Sequence, residues 1–247
     1  MPATPAWPPK SLPRLFVRQS LAEDARVEID AAQANYLGNV LRLGEGAELL
    51  LFDGTTGEWL ARIVQAAKKR MTLAVERKTR EPERIPDVWL AFAPVKRAQT
   101  DWLIEKATEL GVARLIPVMT QRTVAERVKL ERLEAIAIEA AEQCGRTRLP
   151  EIAKLRPLKH LLAHRDAART LYFADETGGE WAPDAFTAGA CMILTGPEGG
   201  FTEEERLAIR AAPNSVAVSL GPRILRAETA ALAALAAYMA VAGDWRP

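Results

Sequence analysis

Two stretches near the C-terminus decide the fold. The first is Ile193-Leu-Thr-Gly-Pro-Glu-Gly-Gly-Phe201, followed by Thr202-Glu-Glu-Glu205. The second is Val218-Ser-Leu-Gly-Pro-Arg-Ile-Leu-Arg-Ala-Glu-Thr229, which runs into an alanine-rich segment. Each is an apolar run that meets a Gly-Pro and then a loop opening onto a helical pattern. In open α/β sheets, ligands bind beyond the carboxyl ends of the strands. Glycines at such a point let backbone come close to a ligand, and prolines hold the loop in one shape. Peptide N–H and C=O groups can then read an adenine ring without charged side chains. Thr202 with Glu205 three residues on is a capping box, which fixes where the next helix begins. One Gly-Pro turn would be ordinary; two matched strand-end loops, one with glycines on both sides of Glu198, point to a ligand site. The chain has no GxxxxGK[ST] and no GxGxxG, and Glu198 would repel a phosphate, so a nucleoside triphosphate or dinucleotide site is disfavoured.

Working outward, strand and helix patterns alternate from residue 88 to the end. Strands are expected at 88–94, 115–118, 171–174, 192–195 and 216–220, and helices at 101–110, 130–143, 203–212 and 226–242. These strands are apolar throughout rather than alternating, as when helices cover both faces of a mainly parallel sheet. The fold class is α/β. Residues 81–87, with two prolines in six positions, form a linker.

Residues 14–80 differ. Short apolar runs at 15–17, 25–29, 48–52, 59–64 and 71–76 are punctuated by Gly44-Glu-Gly46 and Asp53-Gly-Thr-Thr-Gly57, the pattern of a small β-barrel or compact sheet. A helical patch lies between Asp30 and Leu43, with Asp30 placed as its N-cap. Residues 1–13, rich in proline and without the apolar core of a signal peptide, are expected to be a disordered lead-in.

Bulk properties mainly exclude. A net charge of +1 does not announce a nucleic-acid partner, so any basic surface must be local. Cys144 and Cys191 stand in no metal-binding spacing and are expected to be reduced thiols of a cytoplasmic protein. The most apolar stretch, 229–243, is too short for a membrane span. His160 and His164 stand four apart on a helical pattern but lack a third ligand, so no metal is expected. Trp102, beside Leu103, reads as core packing.

The pair Thr195-Gly-Pro-Glu-Gly-Gly-Phe201 and Leu220-Gly-Pro-Arg-Ile-Leu-Arg-Ala-Glu-Thr-Ala230 resembles the RsmE family, SPOUT-superfamily methyltransferases that modify N3 of one uridine in 16S ribosomal RNA. Asp101-Trp-Leu-Ile-Glu-Lys-Ala-Thr-Glu-Leu-Gly111 and Glu139-Ala-Ala-Glu-Gln-Cys-Gly-Arg146 are similar to two of its helices. Arg14-Leu-Phe16 with Asn39-Val-Leu-Arg-Leu43 resembles its N-terminal domain. The resemblance implies a PUA-like β-barrel at 14–80, then a SPOUT domain at 88–247 with a deep C-terminal trefoil knot. It also implies S-adenosylmethionine as cofactor, 16S rRNA in the small ribosomal subunit as partner, and a homodimer. The histidine usual near the start of the family's N-terminal helical patch has no counterpart in residues 31–36.

From these readings the candidate site follows. Leu194, Thr195, Gly196, Gly199, Leu220, Gly221, Ile224 and Leu225 are expected to hold the cofactor, largely through main chain. N3 of uracil carries a proton and is a poor nucleophile until that proton leaves, so a fixed positive charge should favour the anion. Arg226 is the first candidate for that charge, with pairing to Glu228 or Glu198 as its structural alternative. Glu198 could take the proton, although a carboxylate of ordinary pKa is a weak base for the task; bonding to loop amides or to the cofactor's ribose is its other reading. Lys96, Arg97, Arg122 and Arg146 are candidate RNA-phosphate contacts. Two other functions fit the same motifs: a SPOUT enzyme acting on tRNA, and a non-catalytic RNA-binding ribosome-assembly factor.

Overall fold

The structure, a computed structural model, describes residues 12–67, 70–124 and 128–245. The expected lead-in falls almost wholly outside them, as do Lys68 and Lys69. The chain forms two units: Met1–Arg84 with Ala141–Arg148, and Ile85–Ala140 with Leu149–Pro247.

The first unit is a five-stranded sheet in the order β1-β3-β4-β5-β2, with strands β1 (Arg14–Phe16), β2 (Arg26–Ile29), β3 (Glu48–Phe52), β4 (Glu58–Ala67) and β5 (Arg70–Arg80). β1 pairs with β3 in parallel, and the other pairs are antiparallel. β2 alternates exposed and buried residues, as a strand with one wet face must. Leu37, Leu49, Leu51, Ile63 and Leu73 make its core. Asp30 does cap helix α1 (Ala31–Asn35), accepting from Gln33 N at 2.8 Å, and a π-turn at Tyr36–Val40 completes the helical patch.

In the second unit the strands are β6 (Val88–Phe92), β7 (Arg114–Met119), β8 (Glu151–Ile152), β9 (Arg156–Pro157), β10 (Thr170–Ala174), β11 (Glu180–Trp181), β12 (Cys191–Thr195) and β13 (Ser215–Ser219). They form one sheet in the order β11-β13-β10-β12-β6-β7-β8, with β9 paired to the end of β7, and every pair is parallel. The helices are α2 (Arg97–Glu109), α3 (Leu130–Cys144), α4 (Leu158–His164), α5 (Ala182–Ala185), α6 (Glu203–Arg210) and α7 (Ala227–Val241).

The continuous apolar strands have a simple cause. Alternate residues of each strand enter two separate cores. Leu90, Phe92, Tyr172, Ile193 and Val218 pack with Leu103 and Ile104 of α2 and with Leu235 and Tyr238 of α7. Ala91, Ile116, Phe173, Met192 and Leu194 pack instead with Leu161 of α4 and Ile209 of α6. Two buried faces require apolar residues at both phases of the strand period. The alanines of α7 keep that helix close to the sheet: Ala231 and Ala234 are wholly buried.

Three differences from the sequence reading have physical causes. α2 starts at Arg97, one turn before Asp101, because Thr100 Oγ1 bonds Val95 O at 3.1 Å and anchors a polar first turn that carries no capping residue. Trp102 is 44% exposed and is not a core residue, since its neighbours Leu103 and Ile104 already fill the side of α2 that meets the sheet.

The third concerns residues 141–148, which the sequence places in the second domain. The end of α3 belongs to the first unit, because arginines of the first unit cap its carbonyls. Arg14 donates from Nη1 to Ala141 O at 2.7 Å and from Nη2 to Arg146 O at 2.8 Å, and Arg80 Nη2 reaches Gly145 O at 2.6 Å. Glu58 binds both arginines, with Arg14 Nε and Arg80 Nη2 each 2.8 Å from Oε2. Burial works to raise the Glu58 pKa, but its bonds and charge pairing with Arg80 and Arg14 outweigh that and hold it below the ordinary value. Within the Glu139–Arg146 motif, the carbonyls of Ala141, Gly145 and Arg146 thus gain partners that a helix end would otherwise lack.

Candidate active site

β13, β10 and β12 are adjacent and parallel, so their carboxyl ends emerge at one edge of the sheet. Three loops leave that edge, at 175–179, 196–201 and 220–226.

The loop after β12 is rigid. Gly200 has φ +68°, and a Cβ there would lie 2.5 Å from Glu176 Oε1. Arg122 Nη1 donates to Gly199 O at 2.6 Å. The capping box is present, Thr202 and Glu205 bonding each other's backbone, and Glu205 Oε1 also accepts from Gln121 N at 2.7 Å. The loop is therefore pinned from the 121–122 segment and from α6. Leu194 and Thr195 at its root are buried, whereas Glu198 and Gly199 are exposed.

The loop after β10 was not singled out in the sequence, although Asp175-Glu-Thr-Gly-Gly179 also follows an apolar run and carries two glycines. Asp175 accepts from Thr177 N at 2.9 Å and from Arg210 Nη2 at 2.7 Å. Its burial favours the neutral acid, yet these bonds together hold the carboxyl below its usual pKa. Gly179 lies against β13, where a Cβ would stand 2.4 Å from Ala217 O.

The loop after β13 is open by comparison. Gly221 has φ +107°, and Ile224 is 91% exposed. Arg226 is the N-cap residue of α7, exposed, and bonded to neither Glu228 nor Glu198; no described residue pairs with it. Glu228 beside it is buried, and its Oε2 lacks a hydrogen-bond partner. The loop offers peptide groups at its glycine and the apolar side chains Leu220, Ile224 and Leu225, with no charge among them.

Beside the β12 loop lies a cavity of about 810 Å³. Pro94, Val95 and Leu133 give it apolar walls, and Pro197, Glu198 and Gly199 form one side. Lys96, Arg97 and Arg122 also line it, so three of the four expected RNA contacts meet Glu198 in one place. Asp101, Lys129 and Arg132 line it as well, and no sequence signal singles them out: Asp101 reads as a helix start, and Lys129 and Arg132 as ordinary surface charge. Arg226 and residues 220–225 are not among its lining residues.

Arg146, expected as a phosphate contact, is placed elsewhere. It is 5% exposed, belongs to the first unit, and its Nε lies 3.4 Å from Glu83 Oε1, so it is a buried ion-pair residue instead of a phosphate contact. His160 and His164 stack at 4.1 Å, with His164 Nδ1 2.9 Å from His160 O. Among the described residues no cluster of three or more potential metal ligands occurs, and no helix is long and apolar enough to cross a membrane.

Comparisons with known proteins agree with this arrangement. Residues 81–239 match the family model for an RNA methyltransferase domain, and residues 29–76 match that for an RNA methyltransferase PUA domain. Ribosomal RNA small subunit methyltransferase E of Rickettsia conorii is 32% identical over 229 residues, covering 90% of this chain and 93% of the relative. The enzyme of the same name from Bacillus subtilis is 30% identical over 240 residues, with 90% and 93% covered. Among solved structures, ribosomal RNA small subunit methyltransferase E of Neisseria gonorrhoeae bound to S-adenosyl methionine superposes with TM-score 0.87 at 30% identity, covering 95% of this chain and 99% of that one. A methyltransferase of Legionella pneumophila in complex with SAM gives TM-score 0.86 at 28% identity, with 94% and 99% covered. With the parallel sheet, its glycine-bearing strand ends and the N-terminal sheet unit in place, the chain belongs to the RNA methyltransferase domain family, of which the ribosomal RNA small subunit methyltransferases E are members.

Proposed function

We propose that this protein is an S-adenosylmethionine-dependent methyltransferase acting on N3 of a uridine in 16S rRNA of the small ribosomal subunit. The observation that carries the proposal is the pinned glycine loop after β12 standing between two neighbouring strand ends and a cavity rich in cations. The donor's chemistry is that of an electrophilic methyl group. The residues proposed to hold it are Leu194, Thr195, Gly196, Gly199, Leu220, Gly221, Ile224 and Leu225, mostly through peptide groups.

Glu198 is exposed at the lip of the cavity, where its carboxylate can accept a hydrogen bond from a ribose hydroxyl. Arg226, exposed and unpaired with any described residue, is free to face the anion that forms when the uracil imide loses its proton. A cation beside that anion stabilises charge as it develops. Lys96 and Arg97 are proposed as phosphate contacts, and Arg122 as the clamp on the loop. A homodimer with a knotted second unit, working in the cytoplasm where small subunits assemble, completes the proposal.

The test is transfer of labelled methyl from S-adenosylmethionine to purified small subunits, compared with naked rRNA and tRNA, with the product nucleoside identified by mass. Incorporation as 3-methyluridine in subunits is expected. Label in tRNA alone, or donor binding without any transfer, would sink the proposal. Arg226→Ala should abolish transfer while leaving the donor Kd within about threefold, as for a group used in the transition state only. Full turnover would remove Arg226 from the mechanism.

A further inference from the structure

One cation that lines the cavity, distinct from Arg226, is held in place. Asp101 on α2 and Arg132 on α3 are paired in its wall: Arg132 Nε donates to Asp101 Oδ1 at 2.9 Å, and Arg132 Nη2 donates to Asp101 Oδ2. Both carboxylate oxygens are used, and so are two of the three guanidinium nitrogens. Arg132 Nη1 makes no hydrogen bond to a described residue. The side chains are 32% and 21% exposed, so this is a half-buried fork rather than a flexible surface pair.

The other cations of the cavity are differently employed. Arg122 is committed to Gly199 O. Lys96, Arg97 and Lys129 are exposed, and no ion pair with a described residue fixes any of them. Among the described residues of the cavity only Arg132 combines partial burial, a fixed orientation and a free guanidinium nitrogen. A bidentate carboxylate sets the guanidinium plane before any ligand arrives, so little reorganisation is needed when charge appears next to it.

The remaining surface suits a nucleobase. Pro94, Val95, Leu133 and Pro197 give apolar contact for ring faces, and the volume of about 810 Å³ lies within the range of small-molecule sites. Burial pushes the Asp101 pKa up. Even so, Asp101 is a poor proton acceptor, because both of its oxygens already take hydrogen bonds from a guanidinium. The geometry therefore assigns the charge problem to the cation. Resting on the function proposed above, we infer that the target uracil enters this cavity and that Arg132 Nη1 donates to one of its carbonyl oxygens, with Asp101 as the positioning residue. The imide N–H proton passes to hydroxide, giving water. The negative charge left on N3 and the two carbonyl oxygens is stabilised by Arg132 on the cavity side.

The test reads ionisation directly, without turnover. The probe is 5-fluorouridine 5′-monophosphate, whose 19F shift follows loss of the N3 proton, titrated with full-length protein holding S-adenosylhomocysteine. The wild-type protein should lower the pH of imide ionisation by about one unit or more, as a cation within a few ångströms does. Arg132→Ala should return the midpoint to that of the free nucleotide, and guanidinium ion should restore part of the shift. Asp101→Asn should give an intermediate midpoint and a lower kcat on small subunits with little change in KM.

Absence of any shift with wild-type protein, or an unchanged shift in Arg132→Ala, would overturn the inference. So would a loss of S-adenosylhomocysteine affinity in Arg132→Ala beyond about tenfold, roughly 1.4 kcal/mol, since the cavity would then belong to the donor. Methyl transfer by the wild-type enzyme, measured separately on small subunits, distinguishes these failures from failure of the proposed function itself.

Discussion

Glu58→Gln is the perturbation whose cost can be worked most directly from the structure. Glu58 and Arg14 are a buried pair, with side chains 6% and 5% exposed. The substitution removes the charge that compensates Arg14 while keeping the size of the side chain. The amide that replaces the carboxylate can still accept one bond, and the half-exposed Arg80 can turn its head to water. Arg14 has no such escape, because its nitrogens are held under the end of α3 by Ala141 O and Arg146 O. Leaving a buried charge without its partner costs about 3–5 kcal/mol.

The pH dependence has a definite sign. The carboxyl is held below its ordinary value of 4.5 in the folded state, so its contribution is present above pH 4.5 and lost as pH falls through the folded pKa. The wild-type first unit should therefore weaken below pH 4.5, and Glu58→Gln should be flatter through that window. Native-state hydrogen exchange read on peptides from β3 and β4 isolates the first unit from the second. A loss of opening free energy under about 1 kcal/mol at pH 7, or an acid dependence identical to wild type, would refute the reasoning.

Two further predictions concern the loops. Gly179→Ala would place a methyl group within 2.4 Å of Ala217 O, and backbone cannot yield cheaply; the 175–179 loop should move off β13, weakening donor binding in calorimetry by about tenfold or more, and wild-type affinity would show that this contact does not shape the site. Arg122→Ala removes a charge-assisted bond to Gly199 O worth about 1.5–3 kcal/mol, so donor affinity should fall by about tenfold while thermal unfolding of the first unit is unchanged. An altered salt dependence of RNA binding with unchanged donor affinity would instead make Arg122 a phosphate contact.

How far the sequence could be read varied with the range of the interactions. The strands of the second unit were legible because unbroken apolar runs such as Cys191–Thr195 have one common cause, burial on both faces. The capping box at Thr202 and the N-cap at Asp30 were legible because each is closed by bonds between residues three apart. The two Gly-Pro loops are legible from their wording, whereas the loop after β10 has no Gly-Pro to mark it.

Other features rest on partners far away in the chain. Arg146 carries the same charge as Arg122, but Glu83, 63 positions earlier, holds it in a partly buried pair. Asp101 and Arg132, 31 positions apart, looked like a helix start and a surface charge until the packing of α2 against a neighbouring cavity wall joined them. The transfer of residues 141–148 to the first unit depends on Arg14, more than a hundred positions away. Local periodicity and capping are written into short windows of sequence, because the forces behind them act within a turn or a strand. Which distant charge meets which is decided only when the elements pack, since burial and approach set the strength of a charge pair far more than the identity of its residues does.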